Sequence, residues 1–109
     1  MFLDNPTREV LTEKWTGIVG EWYDDLIWCP SQCYLNILYK GRKFVIYLRW
    51  RHKDPWSVDL VECFETFNIS SVQANWHPLI VGWFRAKELT KCKNNAFKVA
   101  MELIKSGKI

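Results

Sequence analysis

The sequence predicts an α+β domain of two layers. An antiparallel sheet of three or four strands carries an N-terminal and a C-terminal helix on one face, in the order α-β-β-β-(β)-α. Three observations predict it. Between Cys33 and Cys63 polar and apolar residues alternate with a period of two, interrupted by two turns. Apolar residues recur at helical spacing before that stretch and again after Thr90. The chain has 109 residues, enough for one domain, 1–109, with a modest core.

The first helix opens on Asn5 as N-cap and Pro6 at the first helical position. Leu11, Trp15, Ile18, Val19, Trp22 and Leu26 form its apolar stripe. Gly17 and Gly20 lie off the stripe, and each costs about 1 kcal/mol against Ala in a helix. Pro30 requires the helix to stop near Trp28.

The first strand runs from Cys33 to Lys40, with Leu35, Ile37 and Tyr39 on one face. The second runs from Lys43 to His52. Phe44, Ile46, Leu48 and Trp50 share its buried face; Val45, Tyr47, Arg49 and Arg51 share the opposite, wet one. The third runs from Trp56 to Phe64, with Val58 and Leu60 turned inward. Lys40-Gly41-Arg42 makes the first hairpin turn, because Gly tolerates positive φ. Asp54-Pro55 makes the second, with Pro setting φ at the second turn position. Residues 65–78 read as a loop in which Phe67, Ile69 and Val72 are partly buried. Leu79 to Phe84 reads as a fourth strand. The last helix spans Thr90 to Ser106 and ends at Gly107. Both helices are expected to cover the face that carries Leu35, Ile46, Leu48, Trp50 and Leu60.

Composition is that of a globular protein, 49% hydrophobic and 25% charged, so a packed core is expected. Seven Trp are more than such a core readily encloses, so several are expected to stay partly exposed. Net charge is uneven: −4 over residues 1–28, +3 over 29–64 and +4 over 65–109. An acidic N-terminal helix against a basic remainder reads either as internal charge complementarity or as a limit of polyanion binding to one side of the molecule. Asp4, Arg8 and Glu9 interrupt any leading apolar run, and no stretch approaches the ~20 apolar residues of a membrane span. A soluble, cytoplasmic protein with no membrane contact and reduced cysteines is expected.

Few residues suggest chemistry. Cys29 and Cys33 form one close pair, while His52, Cys63, His77 and Cys92 are scattered. Structural zinc usually takes two close pairs, so no metal is expected and the cysteines read as small hydrophobes. His52 with Ser57 or Cys63 lacks a third group to orient the base, and no nucleophile elbow surrounds either. There is no glycine loop to cradle phosphates. No catalytic residue, cofactor or enzyme activity is expected.

The basic residues carry more. Tyr47, Arg49 and Arg51 share the wet face of the second strand, with Lys53 just beyond. They make either a solvated face or a flat cationic, aromatic platform for a polyanion. Lys87, Lys91 and Lys93 gather where the last helix begins. Lysines oppose the helix dipole there but suit a bound phosphate. If the helix starts nearer Ala86, Lys91 and Lys93 become ordinary solvated residues.

The order helix, three antiparallel strands, helix resembles that of double-stranded-RNA-binding domains. The segment Lys91-Cys92-Lys93-Asn94-Asn95-Ala96-Phe97-Lys98-Val99-Ala100 resembles that family's second helix. The resemblance implies that Lys91 and Lys93 grip phosphates across a groove. The chain departs from the family in its short first hairpin turn and its long segment from Glu65 to Phe84. The expected function is a small non-enzymatic domain that binds nucleic acid through phosphate contacts. Arg49, Arg51, Lys53, Lys91 and Lys93 are its expected cations and Tyr47 its stacking ring. The alternative is a protein-protein interaction module or inhibitor anchored by exposed aromatics.

Overall fold

The alternating stretch folds into the centre of one antiparallel sheet. A computed structural model describes residues 8–9, 18–27, 29–69 and 74–109. Its strands are β1 (Arg8–Glu9), β2 (Ile18–Val19), β3 (Tyr23–Asp25), β4 (Ser31–Tyr39), β5 (Arg42–Trp50), β6 (Ser57–Cys63) and β7 (Ala74–Pro78). A 3-10 turn, Ala86–Glu88, leads into the helix α1, Leu89–Ser106. Strands β4 to β7 form a meander, with Leu35 opposite Ile46, Ile46 opposite Leu60 and Leu60 opposite His77. Both β2 and β3 pair with the outer edge of β4, at its two ends. Five strands are three residues or longer, and the architecture is α+β with a C-terminal helix.

The predicted face parity of β4, β5 and β6 is correct. Cys33, Leu35, Ile37, Phe44, Ile46, Leu48, Val58 and Leu60 form one buried layer. α1 covers it with Cys92, Ala96, Ala100, Met101 and Ile104. The small residues of that stripe let the helix lie close to the sheet. Each large apolar side chain fully buried here contributes about 1.5–3 kcal/mol. Trp50 was expected in this layer but is only half-buried, because β5 ends with it.

The opposite face is not the wet surface the alternation suggested. Val45, Tyr47, Val61 and Cys63 form a second buried cluster, against which Tyr34, Phe67, Ile69 and Ala74 pack. The segment after β6 folds back over the sheet, which explains the unbroken burial from Phe44 to Leu48.

Three local expectations need correction. The predicted N-terminal helix is not found: residues 8–9, 18–19 and 23–25 are in strands. The rest of its stripe, Leu11 and Trp15, lies outside the described residues. The open edge of β4 explains the outcome. An unpaired row of backbone donors and acceptors is satisfied by β2 and β3, and β-branched Ile18 and Val19 suit that role. The fourth strand is Ala74–Pro78 rather than Leu79–Phe84. Leu79 and Val81 are buried, but the chain there runs past the end of β6 without pairing as a strand. The second turn is Arg51–Asp54, where Asp54 N–H donates to the Arg51 carbonyl at 2.8 Å and Lys53 takes φ 70°. Pro55 follows the turn instead of building it.

Two local expectations hold, the first hairpin turn and the end of the last helix. Lys40 (φ 51°) and Gly41 (φ 79°) make a two-residue hairpin turn with positive φ at both positions. α1 ends at Gly107, whose φ of 74° allows its N–H to reach the Ile104 carbonyl. No helix among the described residues is long and apolar enough to cross a membrane.

Candidate functional site

Trp56 builds the site. It is buried where β6 begins. Its backbone N–H donates to the Phe84 carbonyl at 2.9 Å and its indole N–H to the Arg85 carbonyl at 3.1 Å. These two bonds hold residues 84–85 against the end of the sheet where the β5–β6 turn also lies. Glu88 fixes the same segment from the other side, its carboxylate accepting the Arg85 N–H at 2.9 Å. Between turn and segment lies an open cleft of about 510 Å³, lined among others by Trp50, Lys53, Asp54, Trp83, Arg85 and Lys87. Three cations and one carboxylate give this lining an excess of positive charge.

The cleft also offers aromatic surface. Trp83 is 62% exposed, and the Arg85 guanidinium lies over its ring, 5.1 Å from the centroid. Trp50 sits at the end of β5, its ring 6.3 Å from that of Trp56 and 6.5 Å from His52. The arrangement can take an anion beside a flat, polarisable group.

The predicted site residues separate. Lys53 lines the cleft. Arg51 is exposed at the start of the same turn. Lys91 is exposed on α1, four residues before Asn95, whose side-chain amide donates to the Val81 carbonyl at 3.1 Å. That spacing puts Lys91 on the flank of the helix facing the 79–85 segment. Lys93 points the other way. Its ammonium is 2.8 Å from the Asp24 carboxylate and lies over the Trp22 ring, so its charge is already matched. Lys91 and Lys93 therefore do not act as one cluster.

Tyr47 is not an open stacking platform. It is 8% exposed, stacked on Tyr34 with centroids 5.0 Å apart, and met edge-on by Trp76. Its hydroxyl and that of Tyr34 both donate to the Gln32 side-chain carbonyl at 2.8 Å. Burial pushes the Tyr47 phenol and the Asp59 carboxyl up, while the charge of half-buried Arg49 pulls both down. Arg49 is thus occupied within the sheet face.

Two other places on the molecule lack this combination of cations and open aromatic surface. A cavity of about 580 Å³ lies on the face away from α1, between Tyr23, Tyr34, Phe67 and Ile69, with no lysine or arginine among the described residues lining it. The Cys29 and Cys33 pair is split: Cys29 is exposed, whereas Cys33 is buried in the core. Among the described residues no three His, Cys, Asp or Glu side chains gather as metal ligands would.

Sequence reasoning misses Trp83 and Arg85, because the apolar run from Leu79 to Phe84 reads as a strand. The available signal was Gly82, since a lone Gly in a strand pattern marks a break. Its φ is 117°, and a Cβ there would come within 3.0 Å of the Phe84 ring. The chain turns at that point, sending Phe84 toward the core and Trp83 into solvent. Comparison of the chain with protein-family models, curated proteins and solved structures finds no match in any of the three.

Proposed function

We propose that this chain is a small, non-enzymatic domain that binds nucleic acid through phosphate contacts. One observation carries the proposal: Lys53, Arg85 and Lys87 converge on one open cleft beside two tryptophans, with a single carboxylate among them. Arg51 and Lys91, exposed on the adjoining turn and helix flank, extend the positive surface. Lys93 and Tyr47 leave the proposed interface because each is engaged within the fold, and Arg49 because it is half-buried and does not line the cleft.

Each cation that meets a phosphate releases condensed counterions. The log of affinity then falls by about 0.9 per contact per tenfold rise in salt for duplex DNA, and by about 0.7 for single strands. Three cleft contacts on a single strand give a slope of about −2, and Arg51 and Lys91 steepen it to about −3.5. Fluorescence anisotropy with labelled DNA and RNA between 50 and 200 mM salt, on the order of physiological strength, measures this slope. Removing Lys53, Arg85 and Lys87 together should weaken binding across sequences and flatten the slope, whereas Lys93→Ala should leave both unchanged. No association with any strand or duplex at low salt would sink the proposal.

A protein partner is the second reading. It is favoured by Tyr23 and Ile27, which are 72% and 82% exposed within one short stretch at the sheet edge. Such anchoring depends little on salt, which separates it from phosphate binding.

A further inference from the structure

We infer that the ligand of this cleft is single-stranded nucleic acid, held with one unpaired base stacked on Trp83 and its flanking phosphates on Lys53 and Lys87. The inference rests on the nucleic-acid reading above and names the form of the strand.

Trp83 supplies the first argument. A large indole held 62% exposed presents a flat apolar face that a ligand can cover. Its neighbour Arg85 lies over the ring. A guanidinium over an indole polarises the ring and leaves open surface for a second flat group. The faces of bases are available to such a ring only where the bases are unstacked, in single strands, loops or bulges; in a duplex each face is covered by the next pair.

Size points the same way. The cleft volume of about 510 Å³ falls within the ~300–1,000 Å³ of sites that enclose small groups, so it suits a nucleotide rather than a helix.

The third argument is preorganisation. The hydrogen bonds from Trp56 to the Phe84 and Arg85 carbonyls fix the backbone on either side of Arg85 before any ligand arrives. Little ordering entropy is then lost on stacking. Lys53 stands across the cleft on a tight turn, positioned for the backbone of a strand whose base lies on Trp83.

The test uses the full chain and short oligonucleotides in four forms: single-stranded DNA, single-stranded RNA, the matching duplex, and a single strand carrying abasic sites. Stronger binding of single strands than of duplex is expected. Trp83→Ala should weaken single-strand binding by about 5- to 150-fold, the range of one base–aromatic stack, without changing the salt slope, because Trp83 neutralises no phosphate. Trp83→Phe should restore part of the loss. The abasic strand keeps its phosphates and loses its faces. It should bind wild type more weakly than the intact strand, and Trp83→Ala should no longer distinguish the two. Circular dichroism of each variant shows that the fold is retained. Equal affinity for duplex and single strand overturns the inference, as does unchanged single-strand affinity in Trp83→Ala. In both cases the phosphate reading survives if the triple charge variant still loses binding. Failure of wild type to bind any of the four forms removes both proposals.

Discussion

Alkaline pH should destabilise this protein through two thiols in its core. Cys33 on β4 and Cys92 on α1 are both fully buried in the layer between sheet and helix. Burial, with the Asp24 carboxylate adding to it, pushes the Cys33 thiol from an ordinary 9.0 up to about 12. Burial alone pushes Cys92 from 9.0 up to about 11. Well below pH 9 both thiols are protonated in folded and unfolded chains alike, and their full contribution to stability is present. Above it the unfolded chain sheds protons that the folded chain keeps, so stability falls with rising pH until the folded values are reached. At about 1.4 kcal/mol per pK unit, each thiol should cost about 1.3 kcal/mol between pH 8 and pH 10, and the pair about 2.6 kcal/mol. That is a large share of a typical total of ~5–15 kcal/mol. Cys63, Tyr34 and Tyr47 are also raised by burial and act in the same direction. Urea unfolding at intervals from pH 7.5 to 10.5, with a phosphine reductant present, measures the slope. Cys33→Ala and Cys92→Ala will each be less stable than wild type near pH 7.5 because they leave a void. The diagnostic quantity is the pH dependence, which each should flatten by about 1.3 kcal/mol over the same interval. Stability curves for wild type and both variants that stay parallel from pH 8 to pH 10 would refute the reasoning.

Two further outcomes follow from the geometry. Gln32→Met removes the carbonyl that accepts both tyrosine hydroxyls and should destabilise by about 1–3 kcal/mol, whereas Tyr47→Phe removes one donor and should cost only about 0.5–1.5 kcal/mol; chemical denaturation of both variants compares them. Gly82→Ala imposes a side chain at φ 117° beside the Phe84 ring. It should cost about 1–3 kcal/mol and lower oligonucleotide affinity by displacing Trp83, an effect that unfolding and binding assays on one sample would show together.

The sequence by itself determined the parts of this protein that rest on local rules. A period of two through Leu35, Ile37, Phe44, Ile46, Leu48, Val58 and Leu60 set which side chains share a face, because successive strand residues must point opposite ways. Gly41 placed the first hairpin turn, and the 3.6-residue period with Gly107 placed α1 to within a residue at its start. The tertiary structure decided what covers each face and what meets at each end. Alternation states that Tyr47 and Val45 lie opposite the helix layer, but only the return of Phe67 and Ile69 over the sheet buries them. Helical spacing in residues 11–26 competed with the open edge of β4, and pairing that edge placed residues 18–19 and 23–25 in strands. The cleft joins Lys53 to Trp83, Arg85 and Lys87, some thirty positions later, through hydrogen bonds made by Trp56. No local pattern encodes that meeting. It arises because the chain must satisfy the backbone groups leaving β7 while burying Leu79 and Val81, and the position that achieves both carries Trp83 to the rim.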